Sequence, residues 1–189
     1  MLISNMDDEA AQFDALSALI DEAKDIAVCA HTSPDGDAIG STLALAEIIE
    51  AGWEGKRVCV LLADDDVVPR TYRFLPGIER LTHVADYDVD PDLFICVDLS
   101  DKTRLNEAQQ VLERSSKVGV LDHHPSGEKF WDAGVVRTGA AAAGVIVINA
   151  PEAEYVFPPT VTLTLSGSCT AEPVTPPALV SSSRLDEEE

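Results

Sequence analysis

The chain has 189 residues, 46% of them hydrophobic and 25% charged, with a formal net charge of −21. That size and balance describe one ordinary soluble core with room for an appendage. They exclude a sequence-independent grip on long DNA or RNA duplexes, which needs dense Lys and Arg. No run approaches the roughly 18 apolar residues of a bilayer span. The N-terminus lacks the basic and apolar stretches of a secretion signal, so the expected location is the cytoplasm, away from membranes. Cys29, Cys59 and Cys96 fall inside apolar runs, Cys169 stands alone, and no C-x-x-C pair exists. Neither a disulfide framework nor a zinc knuckle is expected.

In chain order, Phe13, Leu16, Leu19 and Ile20 recur at helical spacing between about Asp7 and Lys24. This predicts an amphipathic lead-in helix within residues 1–25, with Lys24 near its C-terminal end. The apolar, β-branched run from Ile26 predicts a buried parallel strand. It breaks at Ser33-Pro34-Asp35-Gly36, where Pro fixes φ and Gly permits a left-handed residue. A helical pattern through Ile39, Leu43, Leu45, Ala46, Ile48 and Ile49 follows. His31, Asp35 and Asp37 therefore share one loop at the carboxyl end of a strand, where open α/β sheets bind ligands.

A second strand is expected at Lys56–Leu62, ending in Asp64-Asp65-Asp66, which reads as a solvated loop. Pro69 to Pro76 reads as a short helix or irregular piece packing Tyr72 with Phe74, and His83 reads as structural. Leu93–Val97 is a strand ending in Asp98, and a helix through Gln110 and Leu112 leads to another strand that ends in Asp122-His123-His124-Pro125. Thr138 to Asn149 fits a helix with Thr138 as N-cap, although its Val-Ile-Val-Ile end also suits a strand. Strands alternating with helices indicate a three-layer α/β/α fold around a parallel, Rossmann-like sheet.

Carboxylates and imidazoles thus gather at three strand ends, which a parallel sheet brings to one edge. Ligands of this type without thiolate suit Mn²⁺ or Mg²⁺, with Zn²⁺ or Co²⁺ as further options. Two such ions about 3.5–4 Å apart can hold a hydroxide and neutralise a phosphoryl group, so hydrolysis of a phosphate ester is the expected chemistry. Taken singly, Asp35-Gly36-Asp37 could be a turn, Asp98 a helix cap and His123-His124 a polar loop; their joint placement favours a metal site. A haloacid-dehalogenase-like reading fails because His-Thr-Ser-Pro separates the strand from Asp35 and leaves Asp-His-His unused. A dinucleotide-binding reading fails for want of G-x-G-x-x-G after a strand.

His31-Thr32-Ser33-Pro34-Asp35-Gly36-Asp37, Val97-Asp98 and Asp122-His123-His124-Pro125 resemble the first three motifs of the DHH phosphoesterases. The resemblance spans about Ile26 to Ala150, and the compact form most resembles the nanoRNase/pAp phosphatase branch. It implies two Mn²⁺ ions, one on His31 and Asp35 and the other on Asp37 and His123, bridged by Asp98. Asp122 would support the site or bind directly, and His124 would hydrogen-bond phosphoryl oxygens. Arg104 is a further substrate-binding candidate. The implied substrates are very short 5′-phosphorylated oligonucleotides and 3′-phosphoadenosine 5′-phosphate, and a homodimer is compatible with the resemblance.

The family's fourth motif, a strand end with Asp-Thr-Gly, is not found after Ala150, nor is its second, substrate-holding domain. Six of the 11 prolines lie in residues 151–189, which marks the end of the DHH-like segment at 26–150 and a Pro/Ser/Thr-rich acidic tail expected to be disordered. The expectation is a truncated or frame-shifted DHH domain, either an active phosphoesterase or a fragment that binds metal or nucleotide without turnover.

Overall fold

The computed structural model describes residues 3–64, 68–125 and 128–149. Ten helices and strands make the framework: α1 (Ile3–Glu22), β1 (Asp25–Cys29), α2 (Gly36–Gly52), β2 (Arg57–Leu62), β3 (Leu81–His83), β4 (Leu93–Val97), α3 (Gln109–Arg114), β5 (Lys117–Asp122), β6 (Ala133–Val136) and α4 (Ala143–Val147). All six strands pair in parallel in the order β3-β2-β1-β4-β5-β6. The three-layer, parallel-sheet expectation is met. The chain winds outward through β2 and β3, then returns across β1 to β4, so the topological switch lies between β1 and β4.

The strands bury both faces, as parallel strands covered by helices must. In β4, Leu93, Ile95 and Val97 point into a core with Phe13, Leu16 and Ile20 of α1, Ile48 and Ile49 of α2, and Ile146 of α4. The alternate residues Phe94 and Cys96 join the opposite core with Leu105, Ala108 and Val111. Cys29, Cys59 and Cys96 are free thiols, and burial pushes those of Cys29 and Cys96 far up, so they serve as small apolar side chains. Among the described residues no helix is long and apolar enough to cross a membrane.

Several local expectations are corrected. Helix α1 ends at Glu22, so Lys24 lies beyond its last turn, and its backbone N–H donates instead to Asp92 Oδ2 at 2.9 Å. The short strands β3 and β6 were not legible as strands; β6 offers only four residues, two of them glycine and alanine. The segment after Pro69 is a 3-10 turn, Arg70–Tyr72, and its aromatic residues do not pack as a pair. Phe74 is 79% exposed, whereas the Tyr72 ring lies against Gly36, where a Cβ would come within 3.2 Å of it. The helix expected through Gln110 is two pieces, the 3-10 stretch Lys102–Ala108, itself kinked at a non-helical Asn106, and α3 directly after it. Thr138 does not cap the next helix. Helix α4 begins at Ala143, its end is not a strand, and Asp37 receives its first N–H groups from across the sheet edge. The expected tail, 151–189, and with it the expected lack of a fourth motif, lies outside the described residues.

Two carboxylates tie the amino-terminal edge of the sheet together. Asp92 Oδ2 accepts from the N–H groups of Lys24 and Asp25, at 2.9 and 3.0 Å. Asp132 accepts from Val118 N and Lys117 Nζ, both at 2.9 Å. These donors hold both carboxyls below their ordinary value. A lowered folded pKa contributes stability that is complete above the unfolded value of about 3.9 and is lost as the pH falls through the folded value. Asp92→Ala is therefore expected to destabilise the chain by about 1 kcal/mol at pH 7, discounted for its exposure, and by progressively less below about pH 4. Thermal unfolding across that range checks it; a gap independent of pH would contradict the assignment.

Gly134 is a second structural requirement. At φ 156° it brings β6 so near β5 that a Cβ would stand 2.1 Å from the Val120 carbonyl oxygen. Gly134→Ala should cost about 2–4 kcal/mol by prising β6 from β5. Denaturant unfolding measures this, and a loss below about 0.5 kcal/mol, the level of an ordinary surface change, would count against so close an approach.

Candidate metal centre

The strand register builds the site. Cys29 pairs with Cys96 and Val97 with Leu121, so continuing each strand brings His31, Asp98 and Asp122 into one row across β1, β4 and β5. This row straddles the topological switch. Asp98 N–H donates to Leu121 O at 2.9 Å, and the Asp98 backbone is left-handed at φ 61°. For a side chain other than glycine that conformation is costly, and it persists where the surroundings enforce it.

Asp98 is the hub. It is 2% exposed. Its Oδ2 lies 3.5 Å from His31 Nε2; its Oδ1 lies 3.3 Å from His123 Nε2 and 3.5 Å from His124 Nδ1. Despite these neighbours, Oδ1 is buried without a hydrogen-bond donor among the described residues. Two groups of candidate ligands meet on this carboxylate: His31, Asp35 and Asp98, and Asp98, His123 and His124. Within each, one donor atom per residue lies within 4.8 Å of the others.

Backbone carbonyls orient the imidazoles. His31 Nδ1 donates to Thr32 O at 2.8 Å, and His123 Nδ1 donates to Ala140 O at 3.2 Å. Each leaves Nε2 turned towards Asp98 as a potential donor atom, the arrangement by which metal-binding histidines fix their tautomer. The Asp98 carboxylate raises the His31 pKa, outweighing the opposing effects of burial and of Arg104. His124 is held otherwise. Its Nδ1 donates to Asp122 Oδ1 at 2.8 Å, and its side chain is 44% exposed, so Nε2 is the atom left for an outside partner.

The remaining carboxylates have divided roles. Asp35 caps α2, its Oδ1 accepting from Asp37 N and Ala38 N at 2.9 and 3.1 Å. The turn and ligand readings of this residue are thus compatible. Asp37 lies 3.6 Å from His123 Nε2 but outside both clusters. It accepts from Ala143 N, Gly144 N and Ser41 Oγ at 2.7, 3.0 and 3.0 Å. Asp122 is fully buried; its Oδ1 accepts from the N–H groups of His123 and His124, and its Oδ2 has no donor among the described residues. It lies behind the histidines. Arg104 is half-buried, and its carbonyl accepts from Thr32 N at 2.8 Å.

Asp64 is the residue that sequence reasoning passed over. It is no loosely solvated loop residue: Oδ2 accepts from Thr32 Oγ1 and, at 2.7 Å, from Ser33 N, while Oδ1 accepts from Asn106 Nδ2 at 2.8 Å. Burial raises the Asp64 pKa, but these donors and nearby His31 outweigh it and leave the group below its ordinary value. Its position at the carboxyl end of β2 was the available signal. His83, by contrast, stands on edge strand β3 away from the cluster, with Nδ1 buried and undonated.

The donor set suits a divalent cation. A buried carboxylate oxygen without a donor is costly unless a positive charge meets it, and oxygen and imidazole ligands without thiolate are those of a hard or borderline ion.

The profile described as "DHH family, N-terminal domain" matches residues 25–168. Among curated proteins, the chain is 28% identical over 137 residues to a probable bifunctional oligoribonuclease and PAP phosphatase NrnA of Streptococcus mutans, covering 72% of this chain and 41% of that protein. It is also 28% identical over 126 residues to the cyclic-di-AMP phosphodiesterase PdeA of Listeria monocytogenes, covering 61% and 19%. Among solved structures, an exopolyphosphatase-related protein from Bacteroides fragilis superposes with a TM-score of 0.66 at 24% identity, over 73% of this chain and 42% of that one. The chain therefore spans less than half the length of each of these relatives. With the profile covering most of its length and the Asp-His-His strand end in place, the chain belongs to the DHH family.

Proposed function

We propose that this chain is a two-metal phosphoesterase acting on phosphate esters of small nucleotides, either 3′-phosphoadenosine 5′-phosphate or very short 5′-phosphorylated oligonucleotides. The observation that carries the reading is Asp98, one buried carboxylate shared by two ligand clusters. His31 and Asp35 would hold one ion, His123 with neighbouring Asp37 the other, and Asp98 both. Mn²⁺ is the ion proposed, with Mg²⁺ or Co²⁺ as substitutes. When bound, the pair would polarise the phosphoryl group and lower the pKa of water. The names of the two curated relatives, a bifunctional oligoribonuclease and PAP phosphatase and a cyclic-di-AMP phosphodiesterase, support the reaction class.

The chain's own groups supply the rest. In hydrolysis a water oxygen bonds to phosphorus, the ester P–O bond breaks, and the departing oxygen takes a proton. His124, with Nδ1 fixed on Asp122, presents Nε2 at the exposed rim, where as an imidazolium it can donate to a phosphoryl oxygen. Asp122 orients both histidines by accepting their backbone N–H groups. Arg104, tied through its carbonyl to the His31 loop, would neutralise a substrate phosphate. The second reading is metal or nucleotide binding without turnover.

The deciding measurement is Mn²⁺-dependent phosphate release from 3′-phosphoadenosine 5′-phosphate. Asp98→Ala should lower it by at least about 100-fold and weaken Mn²⁺ binding at both positions. Binding with no turnover in the unaltered chain would select the second reading. His124→Ala separates the roles. It should leave Mn²⁺ affinity within about threefold while kcat falls by about 100-fold or more; a large loss of metal affinity would make His124 a ligand instead.

A further inference from the structure

Among the described residues, three other than glycine have positive φ: Ser33 at 51°, Asp98 at 61° and Asn106 at 45°. All three lie at the carboxyl edge of the sheet, in or beside the candidate metal centre. Such backbone is costly and persists only where neighbours over-determine it. For Ser33 and Asn106 one neighbour serves both. Asp64 Oδ2 receives the Ser33 N–H and the Thr32 hydroxyl, and Oδ1 receives the Asn106 side-chain amide.

These two residues belong to the two loops that must face each other. Ser33 lies in the turn between His31 and Asp35, whereas Asn106 closes the loop that leaves β4 through Asp98 and Arg104. A single direct backbone bond joins the loops, Thr32 N to Arg104 O at 2.8 Å. Asp64, from the end of β2, supplies the other tie, and each carboxylate oxygen holds one loop.

We infer that Asp64 is a positioning residue for the metal centre, a carboxylate clamp that fixes the loop of His31 and Asp35 against the loop of Asp98. This rests on the two-metal reading above. Asp64 belongs to neither ligand cluster. It acts by holding Thr32 and Ser33, so that the Nε2 of His31 and a carboxylate oxygen of Asp35 meet Asp98 at ligand spacing. Without it the strained turn at Ser33 is free to relax towards ordinary backbone, and the spacing loosens.

The test uses the full chain with Asp64→Ala, Asp64→Asn, and Asp64→Asn combined with Asn106→Asp. In Asp64→Asn the amide nitrogen meets either the Asn106 amide or the Ser33 N–H, so a donor faces a donor on one side. Adding Asn106→Asp reverses that hydrogen bond and restores it, while the amide oxygen serves Thr32 and Ser33. The readouts are amide hydrogen exchange at Ser33 in metal-free protein, Mn²⁺ affinity by calorimetry, and thermal unfolding. Asp64→Ala is expected to speed exchange at Ser33 and to weaken Mn²⁺ binding by about 10- to 100-fold, the usual effect of losing a group that orients ligands. The double variant should recover most of that affinity. An Asp64→Ala chain that melts earlier but binds Mn²⁺ as the unaltered chain does would overturn the positioning role. So would a double variant no better than Asp64→Asn. An unaltered chain that takes up no Mn²⁺ would instead overturn the two-metal reading itself.

Discussion

The buried carboxylate of Asp98 is the constraint on which the site depends. A charge at 2% exposure, with one oxygen lacking any described donor, destabilises a fold unless something cationic meets it. Three imidazoles approach it, from β1 and β5, and none makes a hydrogen bond to that oxygen. The parallel register brings these groups to one point, and the left-handed turn at Asp98 keeps the chain from carrying the carboxylate away along β4. Ordinary folding stability would favour an apolar residue here. A polar group retained at such cost is better explained by binding than by packing.

Around this hub, most polar groups orient other polar groups. Two backbone carbonyls set the rings of His31 and His123, and Asp122 uses one oxygen for both histidine N–H groups and the His124 ring. Asp37 is the less obvious case. It stands beside His123, yet its carboxylate also collects the first N–H groups of α4, so the helix after β6 is anchored to the loop after β1. Coupling of this kind makes the site's geometry a property of three separate strand ends.

The apolar periodicities of α1, α2, β1, β4 and β5 were legible because burial on both faces imposes them directly on residue type. The three motif loops were legible for a related reason: a loop that abruptly ends a buried strand with Asp and His has few structural explanations. Strands β3 and β6 were not, since three or four residues at a sheet edge carry too short a pattern. The Thr138 cap failed because the actual acceptor, Asp37, is about a hundred residues away in sequence, and local capping rules see only neighbours. Asp64 failed for the opposite reason. A run of three aspartates is usually solvated, and only its place at the end of β2 marks Asp64, whose carboxylate meets Thr32, Ser33 and Asn106.

The net charge bears on how such a site would work. At −21 the chain as a whole repels an anionic ester, but charges beyond a Debye length of about 8 Å are largely screened in physiological salt. What the ester meets is the local field. Without cations that field is set by Asp35, Asp37, Asp98 and Asp122 against the guanidinium of Arg104, and four carboxylates against one guanidinium do not favour phosphate. Two divalent ions would reverse its sign at the point where, on the proposed reading, a phosphoryl group would sit. On the proposed reading, metal binding therefore precedes ester binding for an electrostatic reason, and the carboxylates that make the empty site repulsive are the same ones that make the loaded site attractive.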